Sequence, residues 1–283
     1  MKSKLSRPER LLFACSLLLA SLAPATTQAA GFAATVSPPR FELRAAPGDT
    51  LNEIVEINNA DKLPVDFKLR TADWDLTDNG NVTIHGEELQ PNSCRPWARI
   101  ERHRIRIAPE RARRYRFQIR VPEDAPAGEC RLALLIEGNG EDKVMAGNDM
   151  VKFPVQGRIA VVIYVAVGDA SPQLNLLEVS MDSVNQQQIP VAVFRNDGNA
   201  HGRPSGILDG TDAIGVKQEF SVSPSPIMPG QTRRIPIWPA VSDAVEIVSP
   251  LQLKGTIEWE GGKHEIDEAV SPTHQIGLKE TGQ

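Results

Sequence analysis

The sequence predicts an all-β protein made of two sandwich domains. Three observations carry this. Short runs of alternating apolar and polar residues recur along the chain, turn signals separate them, and no segment shows the 3.6-residue period of a helix. The chain has 22 Pro and 21 Gly, which punctuate strands and interrupt helices. Its 283 residues suit two domains of ordinary size once a targeting segment is set aside.

That segment is the first thirty residues. Lys2, Lys4, Arg7 and Arg10 precede the apolar run Leu11 to Ala23, which is shorter than the ~18 residues a membrane span needs. Gln28-Ala29-Ala30 offers a cleavage point near Ala29 or Ala30. A lipoprotein would need a Cys closing the apolar run, but Cys15 stands near its start. Residues 1–30 thus read as a signal peptide, and the mature chain as an exported protein with no membrane span. Of 31 basic and 36 acidic side chains the leader holds four and one, leaving 27 and 35, a net −8. That balance argues against a nucleic-acid partner.

Residues 35–168 read as the first domain. Phe41-Glu42-Leu43 lies between Pro38-Pro39 and the turn Pro47-Gly48-Asp49, and the strand Leu51 to Ile57 ends in Asn58-Asn59. Phe67 and Leu69 lead to Trp74, and Asp78-Asn79-Gly80-Asn81 reads as a hairpin turn. Counted from Asp75 as a calcium loop, the twelfth position is Gly86 where a Glu is required. Ile105 and Ile107 alternate with Arg104 and Arg106, with Arg102 on the same face. Tyr115, Phe117, Ile119 and Val121 alternate with Arg114, Arg116 and Arg120. This pair of runs reads as an Arg-rich hairpin, either a basic docking face for an acidic partner or a solvated face balanced by Glu53 or Glu56. Leu132 to Ile136 follows Gly128, and residues 137–150 read as a long loop.

The last strand of this domain is Val151 to Val167. Its odd positions are apolar or Gly throughout, whereas its even positions turn from polar (Lys152, Gln156, Arg158) to apolar (Ala160, Val162, Tyr164, Ala166). A sandwich strand ordinarily has one core face and one polar face, so something must cover the second apolar face. The expectation is that Ile159, Val161, Ile163, Val165 and Val167 are lent to a partner while the smaller even residues turn inward. The alternative is a strand buried by the loop 137–150 or by a second copy.

Two cysteines survive cleavage, Cys94 and Cys130. In an exported β-domain such a pair reads as a disulfide, the alternative being two buried thiols. Residues 173–270 read as a second, smaller sandwich, with strands at Leu174 to Val179, Ile189 to Phe194, Phe220 to Val222, Arg234 to Trp238 and Leu251 to Trp259. Residues 271–283 read as a tail. The five His are scattered without ligand spacing, and neither GxSxG nor a phosphate loop is present. The expectation is a protein that is not an enzyme and needs no metal or cofactor.

Val36-Ser-Pro-Pro-Arg40-Phe41, Asn58-Asn59, Trp97, Val121-Pro122 and Gly128-Glu129-Cys130-Arg131-Leu132 occur in this order, followed by the long last strand. Phe194 to His201 adds a less specific match. This arrangement resembles the periplasmic pilus-assembly (PapD-like) chaperones, as a divergent member. The resemblance implies two Ig-like sandwiches set as a boomerang in the periplasm, capping secreted pilus subunits by donor-strand complementation and working with an outer-membrane usher. It also implies an Arg of the first strand and a Lys of the last holding the subunit's C-terminal carboxylate. Arg40 takes the first place, and Arg158 is the nearest basic residue for the second. The competing reading is a structural Ig-like adhesion or scaffold protein of the envelope.

Overall fold

The computed structural model describes residues 33–77, 80–146, 149–241 and 246–272, giving the backbone alone for 139–156. The proposed signal peptide and cleavage point lie outside the described residues, as does the tail from 273 on. No helix among the described residues is long and apolar enough to cross a membrane.

In chain order the first domain contains β1 (Ala34–Ser37), β2 (Arg40–Ala45), β3 (Thr50–Asn59), β4 (Val65–Ala72), β5 (Trp74–Leu76), β6 (Val82–Ile84), β7 (Ala98–Ile100), β8 (Arg104–Ile107), β9 (Arg111–Arg120), β10 (Gly128–Ala146) and β11 (Asp149–Val167). A single 3-10 turn, Arg95–Trp97, precedes β7. Four strands form one sheet in the order β1-β3-β9-β7, and five form the other in the order β2-β11-β10-β4-β8. Alternation makes the sandwich: Val55, Ile57, Tyr115, Phe117 and Ile119 of one sheet meet Phe67, Leu69, Leu132, Leu134 and Ile136 of the other. The Tyr115 hydroxyl donates to the Arg102 carbonyl at 2.7 Å, which satisfies its polar end inside the core.

The second domain contains β12 (Leu174–Val184), β13 (Gln187–Asn196), β14 (Ile207–Thr211), β15 (Lys217–Val222), β16 (Thr232–Pro239), β17 (Leu251–Trp259) and β18 (Gly262–Val270). β16 pairs with β13 through its first half and with β15 through its second, so one strand serves both layers. The short alternation of β14 and the polar run of β18, which buries only Ile266 and Val270, hid both strands from sequence reading. The core gathers Phe194, Phe220, Ile235, Leu253 and Ile257. The two domains repeat one local device. Asn59 and Asn196, both fully buried at strand ends, each donate to neighbouring carbonyls, among them Leu63 and Ala200 at 2.8 Å, and accept a backbone N–H of the following turn.

Cys94 and Cys130 are bonded, with Cα atoms 5.4 Å apart. The bond joins the segment before the 3-10 turn to β10, where the Cys94 amide also donates to the Arg131 carbonyl at 3.1 Å. Closing a loop of sequence separation 36 stabilises by about 3–4 kcal/mol in the chain-entropy account.

Two sequence readings change. Residues 137–146 and 149–150 are strand instead of loop: β10 and β11 pair without interruption from Gly128↔Val167 to Ala146↔Asp149. β5 and β6 form the expected hairpin, and among the described residues no cluster suits a metal. The Arg-rich hairpin does not exist as such. β8 pairs with β4 and β9 with β3 and β7, so the two Arg rows lie on opposite layers of the sandwich.

Candidate functional site

Two features stand out, and β11 belongs to both. The first is the ribbon of β10 and β11. β4 pairs with β10 only up to Gly138, and β2 pairs with β11 in parallel only from Val162 to Val167. Residues 139–146 and 149–156 therefore pair with each other alone, over a length of about 27 Å at ~3.4 Å per residue. Among the described residues no strand pairs with the second edge of β11 from Asp149 to Val161.

The second feature is the cleft between the domains. Phe41 and Leu43 of β2 pack on the core, Phe41 edge-on against Phe117 at 5.2 Å, so Arg40, Glu42 and Arg44 take the opposite face. They stand in register with Val162, Tyr164 and Ala166 of β11. Across this face lies the loop Asn199–Arg203 of the second domain. His201 stacks on Tyr164 at 4.1 Å and donates through Nδ1 to Glu129 Oε2 at 2.6 Å. The His201 and Glu129 side chains are 9% and 3% exposed, so this is a buried interdomain pair. Glu129 also donates its backbone N–H to the Asn199 carbonyl at 2.8 Å. Arg203 lies over the Tyr164 ring and donates to Glu42 Oε1 at 3.1 Å, and Arg44 pairs with Glu260. Burial pushes the Tyr164 hydroxyl up to about 12, against the pull of Arg203, so it stays a neutral phenol at physiological pH. The cavity left between these groups is about 270 Å³.

This geometry corrects the assignment of faces on β11. Val161, Ile163, Val165 and Val167 are fully buried in the first domain's own core, and Ile159 is partly exposed. They are not a face to lend. The even residues are covered too: Tyr164 sits edge-on to Trp74 at 5.1 Å in a cluster with Met228 of the second domain, against which Ala160 and Val162 pack. The chain itself therefore supplies the cover that the sequence demanded, through the β5–β6 hairpin and the neighbouring domain rather than through a loop 137–150.

Arg40 and Arg158 are not brought together. Arg40 is in register with Val162, and Arg158 lies four residues earlier on the same strand, about 13 Å away at ~3.3 Å per residue. Arg158 pairs with Glu137 at 3.0 Å, which also takes Arg70 at 3.1 Å. Arg40 instead pairs with Glu42 Oε1 at 2.9 Å, the same oxygen that Arg203 reaches. Sequence reasoning missed Glu42, Glu129 and Arg203. Each is an ordinary charged residue in its own stretch, and only docking of the domains makes them partners.

Fold and cleft define a two-domain Ig-like β-sandwich protein with an interdomain charge cluster and a projecting two-stranded ribbon. No protein-family model matches the chain, and no curated protein matches it. Among solved structures it is similar to the YadV chaperone (10% identity, 84% of this chain and 99% of that one, TM-score 0.45). It is also similar to the class 5 fimbriae chaperone CfaA (14% identity, 85% and 100%, TM-score 0.45). A third similar structure is the CsuC–CsuE chaperone–tip adhesion subunit pre-assembly complex of Acinetobacter baumannii (12% identity, 85% and 99%, TM-score 0.42).

Proposed function

We propose that the protein is a non-catalytic periplasmic chaperone that caps secreted pilus subunits by lending them the second edge of β11. The carrying observation is that β11 is hydrogen-bonded on one side only from Asp149 to Val161. An unpaired edge this long is ordinarily shortened, charged or covered, because it templates pairing with another chain. A client lacking a strand would complete its sheet on that edge by main-chain hydrogen bonds. The resemblance of the motif order around Arg40, Asn59, Trp97 and Cys130 to that of pilus-assembly chaperones supports pilus subunits as the client class, with an outer-membrane usher as the receiver of the complex.

The test is to replace residues 139–156 with a two-residue Asn-Gly turn. The described core ends at Ile136 and Val161, so the shortened protein should melt within about 0.5 kcal/mol of the parent. It should also fail to protect a co-expressed pilus subunit from periplasmic proteolysis. In the parent complex, alternate amides of 149–161 should gain protection from hydrogen exchange. Full protection by the shortened chain would remove the strand-lending role and favour the scaffold reading.

Within the same proposal, the client's terminal carboxylate is held by Arg40 and Arg203, with Glu42 as the internal carboxylate it displaces. Two guanidinium groups converging on one carboxylate oxygen are a ready-made fork for another. Arg40→Ala should change stability by less than about 0.5 kcal/mol, since Arg40 and Glu42 are half exposed, yet lower client capture. Glu42→Gln should raise capture, and Arg158→Ala should leave it unchanged. Loss of capture in Arg158→Ala with none in Arg40→Ala would reverse the assignment.

A further inference from the structure

The two Arg rows that sequence reading joined behave differently once separated. On β8, Arg106 faces Asp66 at 3.8 Å, and Arg104 lines a hollow with Asp66, Lys68, Glu137 and Arg158. This surface mixes signs and balances itself. On the other layer, Arg114, Arg116 and Arg120 share one face of β9, with steps of about 6.8 Å and about 13.6 Å between them along the strand. Arg99 of β7 joins the same face, in register with Gln118. Glu56 of β3 stands in register with Arg114, but no ion pair forms between them. The partners that do form are neutral: Arg120 donates to Gln118, and Arg99 to the carbonyls of Pro96 and Ala98. Among the described residues none of the four arginines meets a carboxylate.

Gathering four arginines on one sheet face with none of them ion-paired, although Glu56 stands nearby, works against the domain, because closed cross-strand pairs of unlike charge are the favourable arrangement. We propose that this face of the β1-β3-β9-β7 sheet is a docking surface for an acidic protein segment. Three features select protein carboxylates over an anionic membrane. Every basic residue on the face is Arg, whose planar fork matches carboxylates two bonds at a time, and none is Lys. A shallow hollow of about 330 Å³ is lined by Arg99 and Arg116 together with Ile54, Ile100 and Phe117, which offer apolar contact, and by Glu53 and Glu101. The chain as a whole is net acidic, which disfavours approach to an extended anionic bilayer more than contact with a short acidic segment. The face lies on the layer opposite the ribbon, so it stays open while β11 is engaged. It is thus a second surface, independent of the strand-lending edge.

The test uses a fluorescein-labelled ten-residue peptide of alternating Glu and Thr, titrated against the whole mature protein. Arg114→Glu/Arg116→Glu should weaken binding at least tenfold, and raising salt from 50 to 300 mM should weaken binding to the parent. Arg104→Glu/Arg106→Glu, on the other layer, should bind as the parent does. Should the Glu variant misfold, Arg114→Gln/Arg116→Gln replaces it with the same expected direction. Equal affinity for the β8 and β9 variants would overturn the proposal, as would no binding to the parent. So would preference for phosphatidylglycerol vesicles over the peptide, or a concentration-dependent dimer of the protein that the β9 variant abolishes.

Discussion

Ile163→Asp should severely destabilise the first domain instead of merely abolishing client capture. Ile163 is fully buried, with Val161 and Val165 on the same face and Leu132 opposite it in register on β10. The substitution removes buried apolar surface and places a carboxylate where no described donor waits, at a cost on the order of 4 kcal/mol or more. A domain of this size holds roughly 5–15 kcal/mol in total, so about a quarter to most of its margin goes. Ile163→Thr keeps the β-branch and introduces only a hydroxyl, and should cost about 2 kcal/mol. Urea melts of both variants, followed by near-ultraviolet dichroism, check the expectation. A folded Ile163→Asp protein that has lost only its client would return this face to the lent strand.

The second large effect belongs to the domain interface. His201→Ala leaves Glu129 buried with neither carboxylate oxygen bonded to a described side chain, since Oε1 already lacks a partner. Removing one member of a buried pair costs about 3–5 kcal/mol, because the remaining charge stays desolvated. Single Glu129→Gln should cost less, since a neutral amide can still meet the imidazole. The double variant should be more stable than the sum of the single effects predicts, a coupling of about 1–2 kcal/mol in a denaturant-based double-mutant cycle. Strict additivity would mean that the pair does not latch the domains. Tyr164 gives an internal control. Its hydroxyl ionises only near pH 12, so the latch should not depend on it across the neutral range.

The alternation Tyr115-Arg116-Phe117-Gln118-Ile119 determined by itself that β9 is a strand with one core face. The same holds for Phe67 and Leu69 on β4, because a period of two needs no neighbour to be read. With Cys94 and Cys130 as the two cysteines beyond the leader, the bonded pair was equally legible. The apolar even residues of β11 announced that a second cover must exist. They could not say whose, since Trp74 and Met228 are 90 and 64 residues from Tyr164 along the chain. The tertiary structure also decided that the odd face is core, because that choice depends on which side of the sheet the opposite layer packs. β8 and β9 are adjacent in sequence, yet a sandwich corner sends them to different layers, and short connections alone cannot reveal that. Arg40 found Arg203 and Glu42 instead of Arg158 for the same reason. Charged side chains carry no periodic signature of their partners, so their pairing is fixed only when β2, β11 and the second domain's loop meet at the cleft.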